Sequence, residues 1–165
     1  MRKVAVTGAS GLVGSALCKR LEADGTEVAR LGRKQAIHFS LGEPLDRAVL
    51  QGVDALIHVA WDFGAHTERE MQTRNVRGSL DLFETARGAG VRRLVFVSTT
   101  SAFPGAKSLY GRAKLALEEA VLGVEGVVVR PGLVYGMPGK GMLGTLAKLT
   151  NFPLLPVFSG GKQPF

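Results

Sequence analysis

The stretch SLYGRAKLALEEAV, from Ser108 to Val121, sets Tyr110 four residues before Lys114. On a helix that spacing puts the two side chains one turn apart. A free tyrosine, with a pKa near ~10, needs help to act as a base near neutrality. An ammonium group one turn away supplies it, because a positive charge favours the phenolate. The pair could therefore move protons. The same spacing also suits a half-buried packing tyrosine and a lysine paired with Glu118 on the helix surface. A second group of residues is Gly8, Gly11 and Gly14 in VTGASGLVGSAL, and a third is the hydroxyl run Ser98, Thr99, Thr100 and Ser101. Turn chemistry after a strand accounts for a Ser/Thr cluster of that kind without any catalytic role.

Which reading holds depends on the elements that position these residues. KVAVT (Lys3–Thr7) is a short β-rich run ending at glycine, followed by a helical pattern with Val13, Leu17 and Leu21 four apart and a stop near Gly25. EVARL (Glu27–Leu31) predicts a second strand, and IHF around Ile37 a short third. DALIHVAW (Asp54–Trp61) and RRLVFVS (Arg92–Ser98) are apolar on both alternating faces, as parallel strands covered on two sides are. Between them Glu68 to Gly88 predicts a helix with Val76, Leu80, Phe83 and Ala86 inward. The Tyr110 helix follows, its apolar stripe made by Leu109, Ala113, Ala116, Leu117, Ala120 and Val121, with Tyr110 and Lys114 beside it. GVVVR (Gly126–Arg130) gives a further strand, and a helix is expected around Leu143 to Leu149. Alternating strands and helices imply βαβ units and an α/β fold with a doubly wound parallel sheet, whose ligands bind at the strand carboxyl ends.

The glycines fall at the first strand–helix junction. There the first permits a tight turn, the second lets backbone approach a pyrophosphate, and the third lets helix pack on strand. The helix N-terminus adds unpaired N–H groups and the positive end of its dipole. A plain turn with a helix-packing glycine is the alternative, but the placement favours a dinucleotide. No Lys-Ser/Thr follows the glycines, as a mononucleotide P-loop would require.

Composition narrows the classes further. At 165 residues and 45% hydrophobic, the chain can build a core without disulfide or metal staples. Its one cysteine, Cys18, lies in the first helical pattern, so no disulfide framework exists and a reducing, cytoplasmic setting is expected. The net charge of +7 is spread along the chain rather than gathered into a basic, aromatic-interleaved run. That argues against nucleic acid and is met equally well by an anionic small molecule. No apolar run reaches membrane-spanning length, and glycines interrupt the signal-peptide-like amino terminus, so no membrane partner is expected. His38, His58 and His66 lack ligand spacing with carboxylates or Cys18, so no metal site is expected; His58, inside a strand, reads as a satisfied core histidine.

VTGASGLVGSAL, NVRGSLDLFETARGAGVRRLVFVST, Tyr110-x-x-x-Lys114 and VVVRPGLVYG occur in this order. With them the chain resembles the extended short-chain dehydrogenase/reductases, specifically the NAD-dependent epimerase/dehydratase group that includes UDP-galactose 4-epimerase. The resemblance implies a Rossmann-type domain over 1–136 that holds a nicotinamide dinucleotide, with Tyr110 as acid/base. It further implies that Gly8, Ser10, Gly11, Leu12, Val13 and Gly14 form the phosphate loop. Ala60 and Trp61 would lead the chain past the cofactor, Asn75 would lie near it, and Pro131 would turn near the nicotinamide. Lys114 would bond the ribose hydroxyls. Counting back from Gly105 puts the catalytic hydroxyl at Thr100, with Ser98 next and Thr99 and Ser101 as competitors. The activity implied is epimerisation or carbonyl reduction by hydride transfer on a small-molecule substrate, a nucleotide-sugar among the candidates. A non-catalytic dinucleotide-binding module is the alternative, and a homodimer stays open.

Departures from the family pattern refine this. Relatives that use NAD carry an acidic residue at the end of the second strand. Here Gly32 stands there, followed by Arg33 and Lys34, which favours NADP, with NAD as the alternative. Ser101 and Ala102 replace the acidic residues that assist water loss in dehydratases, so dehydration is disfavoured. The interval from Thr100 to Tyr110 is short for a sugar-nucleotide epimerase. Relatives run to roughly twice this length, as a second small subdomain would require. Residues 137–165 are therefore expected to be the start of a truncated substrate-binding region.

Overall fold

The computed structural model of the chain describes residues 2–134. Of these, residues 2–132 belong to one compact unit. The helix expected at Leu143 to Leu149 and the substrate-binding region expected at 137–165 lie outside the described residues.

Five parallel strands form one sheet in the order β2-β1-β3-β4-β5: β1 (Lys3–Thr7), β2 (Glu27–Leu31), β3 (Ala55–His58), β4 (Arg93–Val97) and β5 (Val127–Val129). Helix α1 (Leu12–Ala23) follows β1. α2 (Glu68–Glu70), a π-helical stretch Met71–Arg77 and α3 (Gly78–Gly88) run on as one helix before β4, and α4 (Leu109–Leu122) follows β4. This is the doubly wound, Rossmann-type sheet that the alternation of patterns implies. The strand order reverses between β1 and β3, so the ligand crevice of such a sheet opens at their carboxyl ends.

The expected third strand is not formed. Ile37 makes one isolated parallel bridge with Leu31. The bridge rests on Gly32, whose N–H donates to Ile37 O at 3.1 Å and whose carbonyl accepts from Phe39 N–H at 3.4 Å and, in the turn, from Gln35 N–H at 3.1 Å.

Strand residues alternate between two apolar layers. Ala5, Ala29, Leu31, Leu56, Leu94 and Phe96 pack with Phe83, Leu117 and Val121 on one side. Val4, Val6, Val28 and Ile57 pack with Cys18, Leu17 and Leu21 of α1 on the other. In α4 the inward positions are Ala113, Leu117 and Val121, together with Gly111, Lys114 and Glu118. Ala116, expected in the stripe, is exposed. Lys114, expected beside the stripe, is only 3% exposed.

At the crevice the sheet is tied by a buried polar chain. Thr7 Oγ1 accepts from the N–H groups of Val59 (3.1 Å) and Ala60 (3.2 Å). Its own hydrogen is then left for His58 Nδ1, 2.7 Å away. His58 is accordingly a neutral imidazole with its hydrogen on Nε2, which donates to Ser79 Oγ at 2.9 Å. All three residues are fully buried, and Phe96 stacks on the imidazole while Phe83 meets it edge-on. Burial, helped by the charge of Lys114, pushes the His58 pKa down to about 3. Unfolded, the imidazole binds a proton below about 6.5; folded, it refuses one until about 3. The His58 contribution to stability is therefore intact above about pH 6.5 and falls by up to about 1.4 kcal/mol per pH unit below it. Urea unfolding between pH 7 and 5, above the range where the carboxylates titrate, is expected to show this loss, and a flat profile there would contradict the neutral buried imidazole.

Candidate active site

Three segments converge on the carboxyl ends of β1, β3 and β4. The first is the loop from Gly8 to Gly14. Gly8 has φ +67°, and a Cβ on it would sit 2.8 Å from Ala60 N. A Cβ on Gly14 would sit 2.2 Å from Gly8 O, so helix and strand can approach this closely only through glycine. Gly11 caps α1 without any side-chain hydrogen bond, which leaves the first N–H groups of the helix, from Leu12, Val13 and Gly14, directed at the crevice. Ser10 and Gly11 are exposed, and Leu12 and Val13 half-buried. This cradle fits a pyrophosphate: space that a Cβ would fill, uncapped donors and a positive helix end.

The second segment runs from Val59 to Gly64. Thr7 pins its start. Asn75 pins its middle, accepting from Asp62 N–H at 2.8 Å and donating to Asp62 O at 2.9 Å. Asn75 is fully buried, and its amide serves this segment, with a further donation to Met71 Sδ at 3.4 Å. The Asp62 carboxylate accepts from Gly64 N–H, which lowers its pKa; burial opposes this, and Arg74, then Arg33, add to the lowering. Trp61 is thus delivered between two fixed neighbours.

The third segment is Ser98 to Tyr110. Thr99 Oγ1 accepts from Ser101 N–H at 3.2 Å, which makes it a turn residue. Ser98 Oγ is the one buried side-chain oxygen without a hydrogen-bond partner among the described residues. Thr100 and Ser101 are exposed. Ser108 caps α4, its Oγ accepting from Gly111 N–H at 3.0 Å. A Cβ on Gly111 would lie 2.4 Å from Ser101 O, so the glycine lets the start of α4 rest on the hydroxyl loop.

The Tyr110–Lys114 pair sits where these segments meet. Tyr110 is half-buried against Trp61, ring centroids 5.4 Å apart at 87°, and against Phe63 at 6.2 Å. Lys114 Nζ donates to Val97 O at 2.7 Å and lies 4.2 Å from the Trp61 ring centre, 4.5 Å from that of Phe96 and 6.0 Å from that of Tyr110. Burial pushes its pKa down to about 7, against the pull of Glu118. The surface pair with Glu118 is not formed: Glu118 is itself 3% exposed and takes a bidentate pair from Arg130, Nε to Oε1 at 2.8 Å and Nη2 to Oε2. Burial raises the Glu118 pKa, but the bonds from Arg130, the neighbouring Ser98 hydroxyl and the charges of Arg130 and Lys114 outweigh it and leave it lowered.

Of the residues the sequence singles out, Gly8, Gly11, Gly14, Ala60, Tyr110 and Lys114 gather at this crevice, with Pro131 half-buried after β5. Arg33 is exposed after β2 and acts on Asp62 through its charge. The sequence reading passed over Thr7, Ser79 and Phe96. Thr7 left a signal, as the one polar residue of the VAVT run, and Ser79 another, four residues after Asn75.

Residues 4–151 match the NAD dependent epimerase/dehydratase family. A ceramide reductase of Caulobacter vibrioides is 33% identical, over 94% of this chain and 54% of its own. A dTDP-6-deoxy-L-talose 4-dehydrogenase (NAD(P)(+)) of Kitasatospora kifunensis is 31% identical, over 88% of this chain and 57% of its own. Among solved structures, MoeE5 in complex with UDP-glucose and NAD superposes with a TM-score of 0.73 at 26% identity, covering 89% of this chain and 59% of that one. The chain thus spans somewhat over half the length of these relatives. No helix among the described residues is long and apolar enough to cross a membrane.

The depressed Lys114 pKa has a measurable consequence. Between about pH 7 and 10.5 the unfolded amine holds a proton that the folded one has lost, so stability rises with pH across that window. The wild-type chain is expected to gain on Lys114→Met by up to about 1.4 kcal/mol per pH unit as urea unfolding is moved from pH 7 to 9. Parallel profiles for the two proteins would contradict the buried amine.

Proposed function

The chain belongs to the NAD dependent epimerase/dehydratase family, and on that premise we propose that it carries the dinucleotide-binding and acid/base parts of an NAD(P)-dependent epimerase or carbonyl reductase. The observation that carries the proposal is the buried Lys114 amine one helical turn from Tyr110, on a helix that rests on the Ser98–Ser101 loop beside the glycine cradle. The bound nicotinamide dinucleotide supplies the hydride acceptor or donor. The N–H groups at the start of α1 hold its pyrophosphate. Tyr110 Oη takes the hydroxyl proton of an alcohol as the carbon is oxidised, and returns a proton to the oxygen of a carbonyl as the carbon is reduced. Protonated Lys114 favours the phenolate form of Tyr110. Thr100, exposed on the loop after β4, donates to the substrate oxygen, and Ser98 is the buried alternative.

We assign the cofactor as NADP in preference to NAD. A side chain at Gly32 would point between Gln35 Cγ, 3.2 Å from its Cβ, and Ser10 Oγ, 4.0 Å from it. No carboxylate occupies that space, and Arg33 follows directly to pair with a 2′-phosphate. The named relatives include a reductase of ceramide, a dehydrogenase of a nucleotide-linked deoxysugar and a complex with UDP-glucose, so the substrate is a small molecule bearing a secondary alcohol or ketone.

In a protein of the relatives' length, Tyr110→Phe is expected to lower turnover by roughly 10²- to 10⁴-fold with dinucleotide affinity kept. Unchanged turnover would remove Tyr110 from the chemistry. Calorimetry on the present chain is expected to show tighter binding of NADP than of NAD. Arg33→Ala should cost roughly tenfold or more for NADP, the worth of one charge-assisted bond, and little for NAD. Equal losses for both would reverse the cofactor assignment.

A further inference from the structure

Trp61 is the only tryptophan of the chain. Its two backbone neighbours are fixed: Ala60 N–H is held by Thr7 Oγ1, and Asp62 is held at both its N–H and its carbonyl by Asn75. A side chain carried between two such anchors has little freedom to drift. The indole touches both members of the candidate acid/base pair at once. Its ring centre is 4.2 Å from Lys114 Nζ, and its plane stands at 87° to the Tyr110 ring, 5.4 Å away.

The surroundings of Lys114 Nζ make the indole the boundary with solvent. Val97 O takes a hydrogen bond, and the fully buried Phe96 ring lies 4.5 Å away on the inner side. Phe96 is fully buried and Trp61 half-buried, so of the two aromatic walls the indole is the one with a face toward water. The charged and titratable groups around the amine are Tyr110 and Glu118 on its own helix, His58 on β3, and Arg130 after β5, which is bound to Glu118. His58 is neutral, and Glu118 is engaged by Arg130. The state of the amine therefore depends chiefly on how well water is kept away from it.

Resting on the reading of Tyr110 and Lys114 as the acid/base pair, we propose that Trp61 is their positioning residue, closing the Lys114 amine off from water and seating the Tyr110 ring edge-to-face. Two effects of the indole oppose each other. Its π-face attracts the cation, while its bulk excludes the water that would hydrate it. Burial is what pushes the amine down, to about 7, and the indole 4.2 Å away is one of the walls that bury it. Removing the indole is then expected to raise the Lys114 pKa, and a smaller aromatic ring is expected to keep it low.

The test is made on the free 165-residue chain, with no cofactor or substrate, by NMR of lysine labelled with 13C at Cε. Loss of one resonance in Lys114→Met assigns the signal. In the wild type that resonance is expected upfield of the other lysines, shifted by the ring currents of Trp61 and Phe96, with a midpoint near neutrality. Trp61→Phe should keep the low midpoint, whereas Trp61→Ala should move it toward the ordinary lysine range and lose part of the upfield displacement. Should Trp61→Ala not fold, Trp61→Leu serves: its midpoint is expected to lie above that of Trp61→Phe, because a smaller, flexible side chain leaves a gap for water. A wild-type midpoint in folded Trp61→Ala, or in Trp61→Leu, overturns the proposal. Because the measurement involves no turnover, that failure is distinct from retained activity in Tyr110→Phe, which would remove the acid/base role itself.

Discussion

The hydroxyl of Thr7 joins the two strands between which the crevice opens. It accepts from two N–H groups beyond β3 and gives its own hydrogen to His58, whose other nitrogen reaches Ser79 on α3. Three elements are locked at full burial by groups that have no water to turn to, so each bond is costly to lose. From this lock the rest follows in sequence. The segment after β3 is held against Gly8, which must lack a side chain for that contact to exist. Asn75 then holds the next stretch of the same segment from the π-helical turn. Trp61 emerges between the two, over the amine of Lys114.

The amine shows the opposite economy. An ammonium placed at 3% exposure with one carbonyl and two aromatic faces is a poor contributor to stability. Such strain collects at functional sites, where a group is kept away from its preferred state so that it can respond. Here the burial is bounded on one side by the carbonyl end of β4 and on the other by the pinned Trp61. Glu118, one turn further along α4, would be the obvious counter-ion, yet Arg130 holds it at both oxygens. That pairing ties α4 to the end of β5 and leaves Lys114 without a close anionic partner among the described residues.

Much of this was legible in the residues. The strand runs, the glycines at the first junction, and the Tyr110–Lys114 spacing all fall where the structure has them, because apolar alternation and glycine placement are local signals. Depth was not legible. Periodicity put Lys114 beside the apolar stripe, and only the loop packed on Gly111 and the rings of Trp61 and Phe96, distant in sequence, bury it. Ala116 counted as apolar but faces solvent, since alanine marks a helix face weakly. The strand expected at Ile37 is a single bridge to Leu31, with the Gly32 carbonyl shared between Phe39 and the turn at Gln35. Asn75 was expected near the cofactor by resemblance alone, and nothing in the residues announced that its amide also holds the backbone of Asp62. Glu118 lay within reach of Lys114 by spacing and was claimed by Arg130, twelve residues on.

The glycines of the cradle and the glycine after β2 differ in what they permit over evolutionary time. Any side chain at Gly8 or Gly14 would strike backbone, which cannot yield, so the cradle has no neighbouring sequence through which it could drift. At Gly32 the nearest atom to a new Cβ is the flexible Gln35 side chain, and the backbone there is not left-handed. A carboxylate could enter by a single substitution without disturbing the sheet. Backbone thus holds the shape of the cradle fixed, while the position after β2 can change its side chain without rebuilding the crevice.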